Sequence, residues 1–223
     1  KLELGSIGGV PIFLDMFLVL ILILFSYPYF TSGNTQMFSI GIVVIIGILV
    51  SILLHEVGHM LAARLFKVGL VGIEIGGLGG ITHFSTSLPR SVIARVIIFL
   101  AGPAMNFLLW KIFDGLVIQA IHLGKPALLS AVAVLASINF YLMIFNLLPS
   151  FPLDGGQTLD TLLGPIIGPT WATRVVAALG LCVTALCIWY ALPTNIWMLL
   201  VALALFQANW MALDTVNRFN RRR

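Results

Sequence analysis

The stretch LLHEVGHM, Leu53 to Met60, decides how this chain is read. Two histidines and a glutamate fall within five positions, yet they lie near the end of a mostly apolar run of about 25 residues from Phe38, long enough to cross a bilayer. Ionisable side chains at membrane depth are costly and mark a functional site by default. His55 and His59 are four apart and share a helix face. Glu56, three before His59, flanks that face. The pattern H-E-x-x-H offers two imidazoles for zinc and a carboxylate as general base. The bland alternative is a polar cluster satisfied between helices.

The rest of the composition points to lipid as the solvent. Of 223 residues, 60% are hydrophobic and 9% charged, and the mean hydropathy is +1.10. Soluble domains carry roughly 25% charged residues, so too little charge is present here to cover a water-facing surface. The net charge is +4, but the basic residues form no stripe with interleaved aromatics, which argues against a nucleic-acid partner. Cys182 and Cys187 are five apart, do not share a helix face, and read as buried free thiols. The opening KLELGS reads as a trimmed or added terminus and carries no structural expectation. No small-residue cleavage site follows the first apolar run, which reads as a retained span.

Segments 10–30, 38–66, 92–122, 126–149, 174–192 and 195–213 each reach the length of about 20 apolar residues that a spanning helix needs. The expected fold is an all-α polytopic membrane protein, a single domain over 1–223 with six transmembrane helices. Residues 67–91, between the second and third spans, contain GIEIGGLGGITHFSTSLP. Their glycines and β-branched residues predict a small strand-like or re-entrant element, lying at the interface or against protein because open strand edges cannot face lipid. Residues 150–173, rich in proline and glycine, read as a structured loop. With the N-terminus in the cytoplasm, Lys1, Arg64, Lys67, Arg90, Arg95, Arg174, Arg218, Arg221, Arg222 and Arg223 fall on the inside and Lys125 alone outside. That asymmetry predicts both termini in the cytoplasm, with the closing arginines as a topology anchor.

A catalytic zinc keeps three protein ligands and one open position. The downstream candidates for the third are His83, His122, Glu74, Asp114, Asp154, Asp160 and Asp214. His55 lies about 26 Å along its span from Phe38, toward the cytoplasmic side. The fourth span runs in the same direction and ends near FNLLPSFPLDGG, which brings Asp154 to a comparable depth. Pro149 and Pro152 stop the helix, and Gly155 and Gly156 permit a tight turn that aims Asp154 back into the bundle. Asp160 reads as loop surface.

HEVGH in the second span and NLLPSFPLDGG after the fourth, supported by AGPAMNF in the third, resemble the site-2 proteases, a family of intramembrane zinc metalloproteases. The two main motifs are in order and at matching expected depth, and with the six-span layout the resemblance covers most of the chain. It implies that His55, His59 and Asp154 hold one zinc ion per chain and that Glu56 is the catalytic carboxylate. It also implies that Asn146 is the family's asparagine near the scissile bond, and that the substrate is a transmembrane protein. The expected location is a prokaryotic cell membrane, with the site toward the cytoplasm. Many family members carry a PDZ domain between the third and fourth spans or a C-terminal CBS domain. Neither is expected within this chain.

In the expected chemistry Glu56 takes a proton from water and passes it to the leaving amine, while Asn146 donates to the developing oxyanion or holds substrate backbone. A helical substrate must unwind near the cut, and segment 72–86 is a candidate to pair with the extended stretch by strand addition. His83 and His122 read as interfacial, Asp15 as the cytoplasmic rim of the first span, Lys111 and Asp114 as an i,i+3 pair, and Asn106 as a hydrogen bonder between packed spans. A metal transporter or sensor with the same ligands is the alternative from another class. It would need a path to both faces. A protease of the prenyl-peptide kind would need a downstream glutamate ligand, and Glu74 is the only glutamate after Glu56.

Overall fold

A computed structural model describes residues 1–76, 79–191 and 196–221. Gly77 and Leu78 of the expected strand-like segment, residues 192–195 around the last two expected spans, and Arg222 and Arg223 lie outside the described residues. The chain divides into two compact units, one of Lys1–Leu88 with Ala101–Met143 and one of Pro89–Leu100 with Ile144–Arg223.

The first unit opens on β1 (Leu2–Ile7) and β2 (Val10–Leu14), followed by α1 (Met16–Phe30) and α2 (Thr35–Leu65). Gly8 and Gly9 both take positive φ, 56° and 82°, and make the two-residue turn that joins the strands with Ile7 opposite Val10. Next come β3 (Leu70–Gly76) and β4 (Gly79–Phe84). The sheet order is β1-β2-β3-β4, antiparallel at both outer pairs and parallel between β2 and β3. Val10, Ile12 and Leu14 alternate inward from β2, and Ile73 and Ile75 from β3. They pack with Leu18 and Leu22 of α1 and Ile52 and Met60 of α2 into one core. At the sheet's polar side Lys1 Nζ sits 2.7 Å from Glu74 Oε2, and His83 Nε2 sits 3.2 Å from the same oxygen. The Lys1 hydrogen bond holds the Glu74 carboxyl below the usual carboxylate range.

Helix α2 begins where Asn34 Oδ1 accepts from the Gln36 N–H at 2.8 Å. It ends in a Schellman arrangement: Lys67 takes φ 58°, Val68 N–H bonds to Ala63 O, and Lys67 N–H bonds to Arg64 O. This stop turns the chain out of the helix and into β3. Most of α3 (Val92–His122) and α4 (Pro126–Asn146) also belongs to this unit.

In the second unit, α5 (Asp154–Ile167), α6 (Pro169–Ala191) and α7 (Ile196–Arg221) follow the loop after α4. Asp160 accepts from the Thr173 hydroxyl at 2.9 Å. Burial pushes the Asp160 carboxyl above its ordinary value.

Five helices among the described residues are long and apolar enough to cross a membrane: Thr35–Leu65, Val92–His122, Pro126–Asn146, Pro169–Tyr190 and Met198–Arg218. The protein is mostly helical, but not all-α, because four strands form a sheet. Half of that sheet comes from residues 1–14, where no strand was expected. The first expected span, 10–30, begins as β2, and its helix has only 15 residues. At 1.5 Å per residue that is about 22 Å, short of a ~30 Å hydrocarbon core. The strand-like segment is the β3–β4 hairpin, joined to the N-terminal strands through β2. The expected loop 150–173 is mostly helix, with Asp154 in the first turn and Pro165 in the last, closed by Gly168 at φ 85°. Asp160 is therefore on a helix and half-buried. Both cysteines are free, but Cys182 is exposed, because that face of α6 is an outer surface available to lipid.

Candidate metal centre

His55 and His59 lie one turn apart on α2, 5% and 6% exposed, with their rings edge to face and their Nε2 atoms 3.1 Å from each other. Two nitrogens bound tetrahedrally to one zinc at 2.0–2.1 Å would be about 3.3 Å apart. The pair is thus spaced to share an ion.

Asn106 of α3 fixes the His55 ring. Its Oδ1 lies 2.5 Å from His55 Nδ1. An amide oxygen only accepts, so Nδ1 carries the proton and Nε2 keeps its lone pair for a metal. Asn106 is oriented in turn. Its Nδ2 donates to Asn139 Oδ1 at 3.0 Å and to the Ser51 carbonyl at 3.4 Å. Asn139 Nδ2 donates to Ser51 Oγ at 3.0 Å and to Leu135 O at 2.9 Å. Asn106 and Asn139 are both fully buried. The sequence reading gave Asn106 only a packing role and passed over Asn139. The available signal was an asparagine in the middle of each of two apolar helices.

Glu56 is 2% exposed, with Oε1 4.0 Å from His55 Nε2. Strand β4 lies against it: Thr82 Oγ1 donates to Glu56 Oε2 at 2.7 Å. A side chain at Gly80 would overlap the Glu56 carboxylate, and one at Gly102 of α3 would overlap both Nε2 atoms. Both sites of close approach require glycine. The AGPAMNF motif thus supplies a cradle in Gly102 and an orienting amide in Asn106.

In the second unit Asp154 is the first residue of α5 and 7% exposed. Gly155 packs against the Leu147 and Leu148 carbonyls, so the loop folds tightly back on this first turn. Asn146 ends α4, half-buried. His55 and His59 in the first unit offer two imidazole nitrogens, and Asp154 in the second offers one carboxylate. Two imidazoles and one carboxylate are donors of the kind a catalytic zinc uses, and the residues fit that ion.

The remaining expected residues lie elsewhere. His83 is on β4, paired with Glu74 and about half exposed, and His122 is exposed at the end of α3. Asp15 joins β2 to α1, with its N–H on the Ile75 carbonyl. Lys111 sets its ammonium 4.0 Å from the centroid of the Trp110 ring.

A family model, peptidase family M50, matches residues 43–121 and 115–189. A zinc metalloprotease of Methanocaldococcus jannaschii is 29% identical over 210 residues, 92% of this chain and 58% of that protein. The stage IV sporulation protein FB of Bacillus subtilis is 26% identical over 166 residues, 70% of this chain and 54% of that protein. The chain spans about half the length of the curated relatives it matches. Among solved structures, the site-2 protease from Methanocaldococcus jannaschii aligns with a TM-score of 0.69 at 24% identity, over 95% of this chain and 94% of that one. At that identity the likeness shows the fold. The two matches of the family model run from residue 43 in α2 to residue 189 near the end of α6, more than half of the chain, and with HEVGH inside them the protein belongs to peptidase family M50, as its resemblance to the site-2 proteases implied.

Proposed function

We propose that this chain is the core of an intramembrane zinc endopeptidase that cuts membrane-protein substrates within or near a transmembrane segment. His55, His59 and Asp154 are the ligands, Glu56 the general base, and Asn146 a hydrogen-bond donor to the oxyanion or to substrate backbone. The observation that carries the reading is the convergence of the two Nε2 atoms beside buried Glu56, with Asn106 holding the proton on the far nitrogen of His55. When bound, zinc acidifies water and polarises the scissile carbonyl. Glu56 takes the water's proton and hands it to the leaving nitrogen. Its burial under β4 keeps it out of bulk solvent until substrate and water enter.

The substrate must present an extended stretch. Strand β4 ends the sheet and lies against Glu56, which suits it to pair with that stretch by strand addition. The chain is a multi-pass protein of the bilayer. In this reading α1 is a short sixth membrane segment, both termini face the cytoplasm, and the site is toward the same side. Cutting there releases a cytoplasmic fragment or clears a remnant peptide.

The test is cleavage of a single-span model substrate by purified protein in detergent micelles, before and after removal of zinc by a chelator. Cleavage that stops with the chelator and returns with zinc supports the proposal. Cleavage unaffected by complete zinc removal overturns it.

A further inference from the structure

Asn209 stands in the middle of α7, in an apolar helix, at 0% exposure. A buried amide in a membrane-spanning helix needs partners, and those of Asn209 are nearly all in one place. Its Oδ1 accepts from the Phe151 backbone N–H at 3.0 Å, and its Nδ2 donates to the Phe151 carbonyl at 3.0 Å. The side chain therefore grips both backbone groups of one residue, as a neighbouring strand would. Nδ2 also reaches Ser150 Oγ at 2.9 Å and the Leu205 carbonyl of its own helix at 2.7 Å. Space for this amide exists because α6 carries glycine at 180, where a side chain would overlap Asn209.

The gripped residues lead straight into Asp154. Ser150 is fully buried, the Leu153 N–H bonds to its carbonyl at 2.9 Å, and Asp154 begins α5 on the next residue. Gly156 lies against the Ser150 carbonyl and the Phe151 nitrogen. Gln157 Nε2 donates to the Pro152 carbonyl at 2.9 Å, tying the first turn back to the same loop. The N-cap residue, Leu153, offers no side-chain cap, so the start of α5 is set by this loop. A rotation of the loop would carry the Asp154 carboxylate with it.

We propose that Asn209 is a positioning residue for Asp154: from 55 positions downstream, it holds the Ser150–Phe151 backbone and thereby sets where the carboxylate points. The inference rests on the reading of Asp154 as a zinc ligand. Asn209 touches no reacting atom, and its effect passes through the loop. Metal affinity and ligand geometry register that effect directly. Outer groups that orient metal ligands are typically worth 10–100-fold in affinity.

The experiment is zinc affinity by chelator competition, together with the visible spectrum of the cobalt-substituted protein, in detergent. The variants are Asp154→Ala, Asn209→Ala, Gly180→Ala, Ser150→Ala and, as control on the same helix, Thr215→Ala, which removes only a bond to the Met211 carbonyl. Helical content and melting are followed in each. Gly180→Ala displaces the amide without removing it, and Ser150→Ala removes a single partner, so the question stays answerable if Asn209→Ala fails to fold. The expected result is loss of tight zinc in Asp154→Ala, about 10–100-fold weaker zinc with an altered cobalt spectrum in Asn209→Ala and Gly180→Ala, a smaller change of the same kind in Ser150→Ala, and none in Thr215→Ala. Wild-type affinity and spectrum in the folded Asn209, Gly180 and Ser150 variants, with Asp154→Ala defective, would overturn the role of Asn209 and leave the zinc reading intact. Wild-type affinity in Asp154→Ala would remove the reading on which the inference rests.

Discussion

Asn106 Oδ1 lies 2.5 Å from His55 Nδ1, across 51 residues of sequence and between two different helices. This bond decides which ring nitrogen is free. Reversing the amide of Asn106 would aim its N–H₂ at His55 and its oxygen at Asn139 Oδ1 and the Ser51 carbonyl, two acceptors. The Asn139–Ser51 pair therefore fixes the flip of Asn106, Asn106 fixes the tautomer of His55, and the tautomer leaves the Nε2 lone pair free to accept a metal.

Replacing Asn106 by Leu removes that control at similar volume. Zinc affinity should fall about 10–100-fold. Asn139→Leu should show the same defect in weaker form, because it acts one bond further out. Chelator competition on the folded proteins checks both.

The two glycines that face the site predict a separation of effects. Gly102→Ala places a methyl group against both Nε2 atoms and should abolish tight zinc binding. Gly80→Ala places one against the Glu56 carboxylate and should leave zinc bound while cleavage falls by more than about tenfold, since Glu56 is displaced from its proton-transfer position. Zinc content and cleavage rate, measured on the same preparations, separate the two.

Asp160 gives a pH dependence of known sign. Its carboxyl is raised above the ordinary 3.8, chiefly by burial, so the folded protein holds this proton more tightly than the unfolded chain does. The stabilisation is full below the ordinary value and is lost as pH rises through the raised native one, then stays flat. Asp160→Asn keeps an acceptor for the Thr173 hydroxyl and carries no proton to lose. Melting temperatures across that pH range should fall with rising pH in the wild type by more than in the variant. Equal slopes would contradict the assignment.

If β4 receives the substrate strand, proline along its outer edge removes donors that the added strand needs. Thr82→Pro and Phe84→Pro, at positions whose N–H points away from β3, should lose turnover of a membrane substrate while keeping zinc. Full turnover in every such variant would remove strand addition from the mechanism.

The helix that carries the candidate metal centre was legible because its polar residues are close together. HEVGH places both imidazoles and the carboxylate within five residues of one helix, and period alone puts the histidines on one face. The break in the chain before Asp154 was visible in its prolines and glycines. Less visible was whatever depends on long-range pairing. Strand β2 was lost in an apolar run that reads equally as helix, and β1 in an opening taken for a trimmed or added terminus, although Ile7-Gly8-Gly9-Val10 carried a hairpin signal. Helix α5 was hidden by its glycines, which serve close packing of the loop against its first turn. Asn139 and Asn209 belong to no local motif. Each is an amide in an apolar stretch of helix whose partners on other elements lie tens of residues away.

The role of Glu56 is decided by cleavage of a single-span model substrate by wild type and by Glu56→Gln, with bound zinc quantified in both. Zinc should be equal in the two, and cleavage should fall about 10²–10⁴-fold in the variant, the range a general base supplies. Equal cleavage rates at equal zinc would contradict that role.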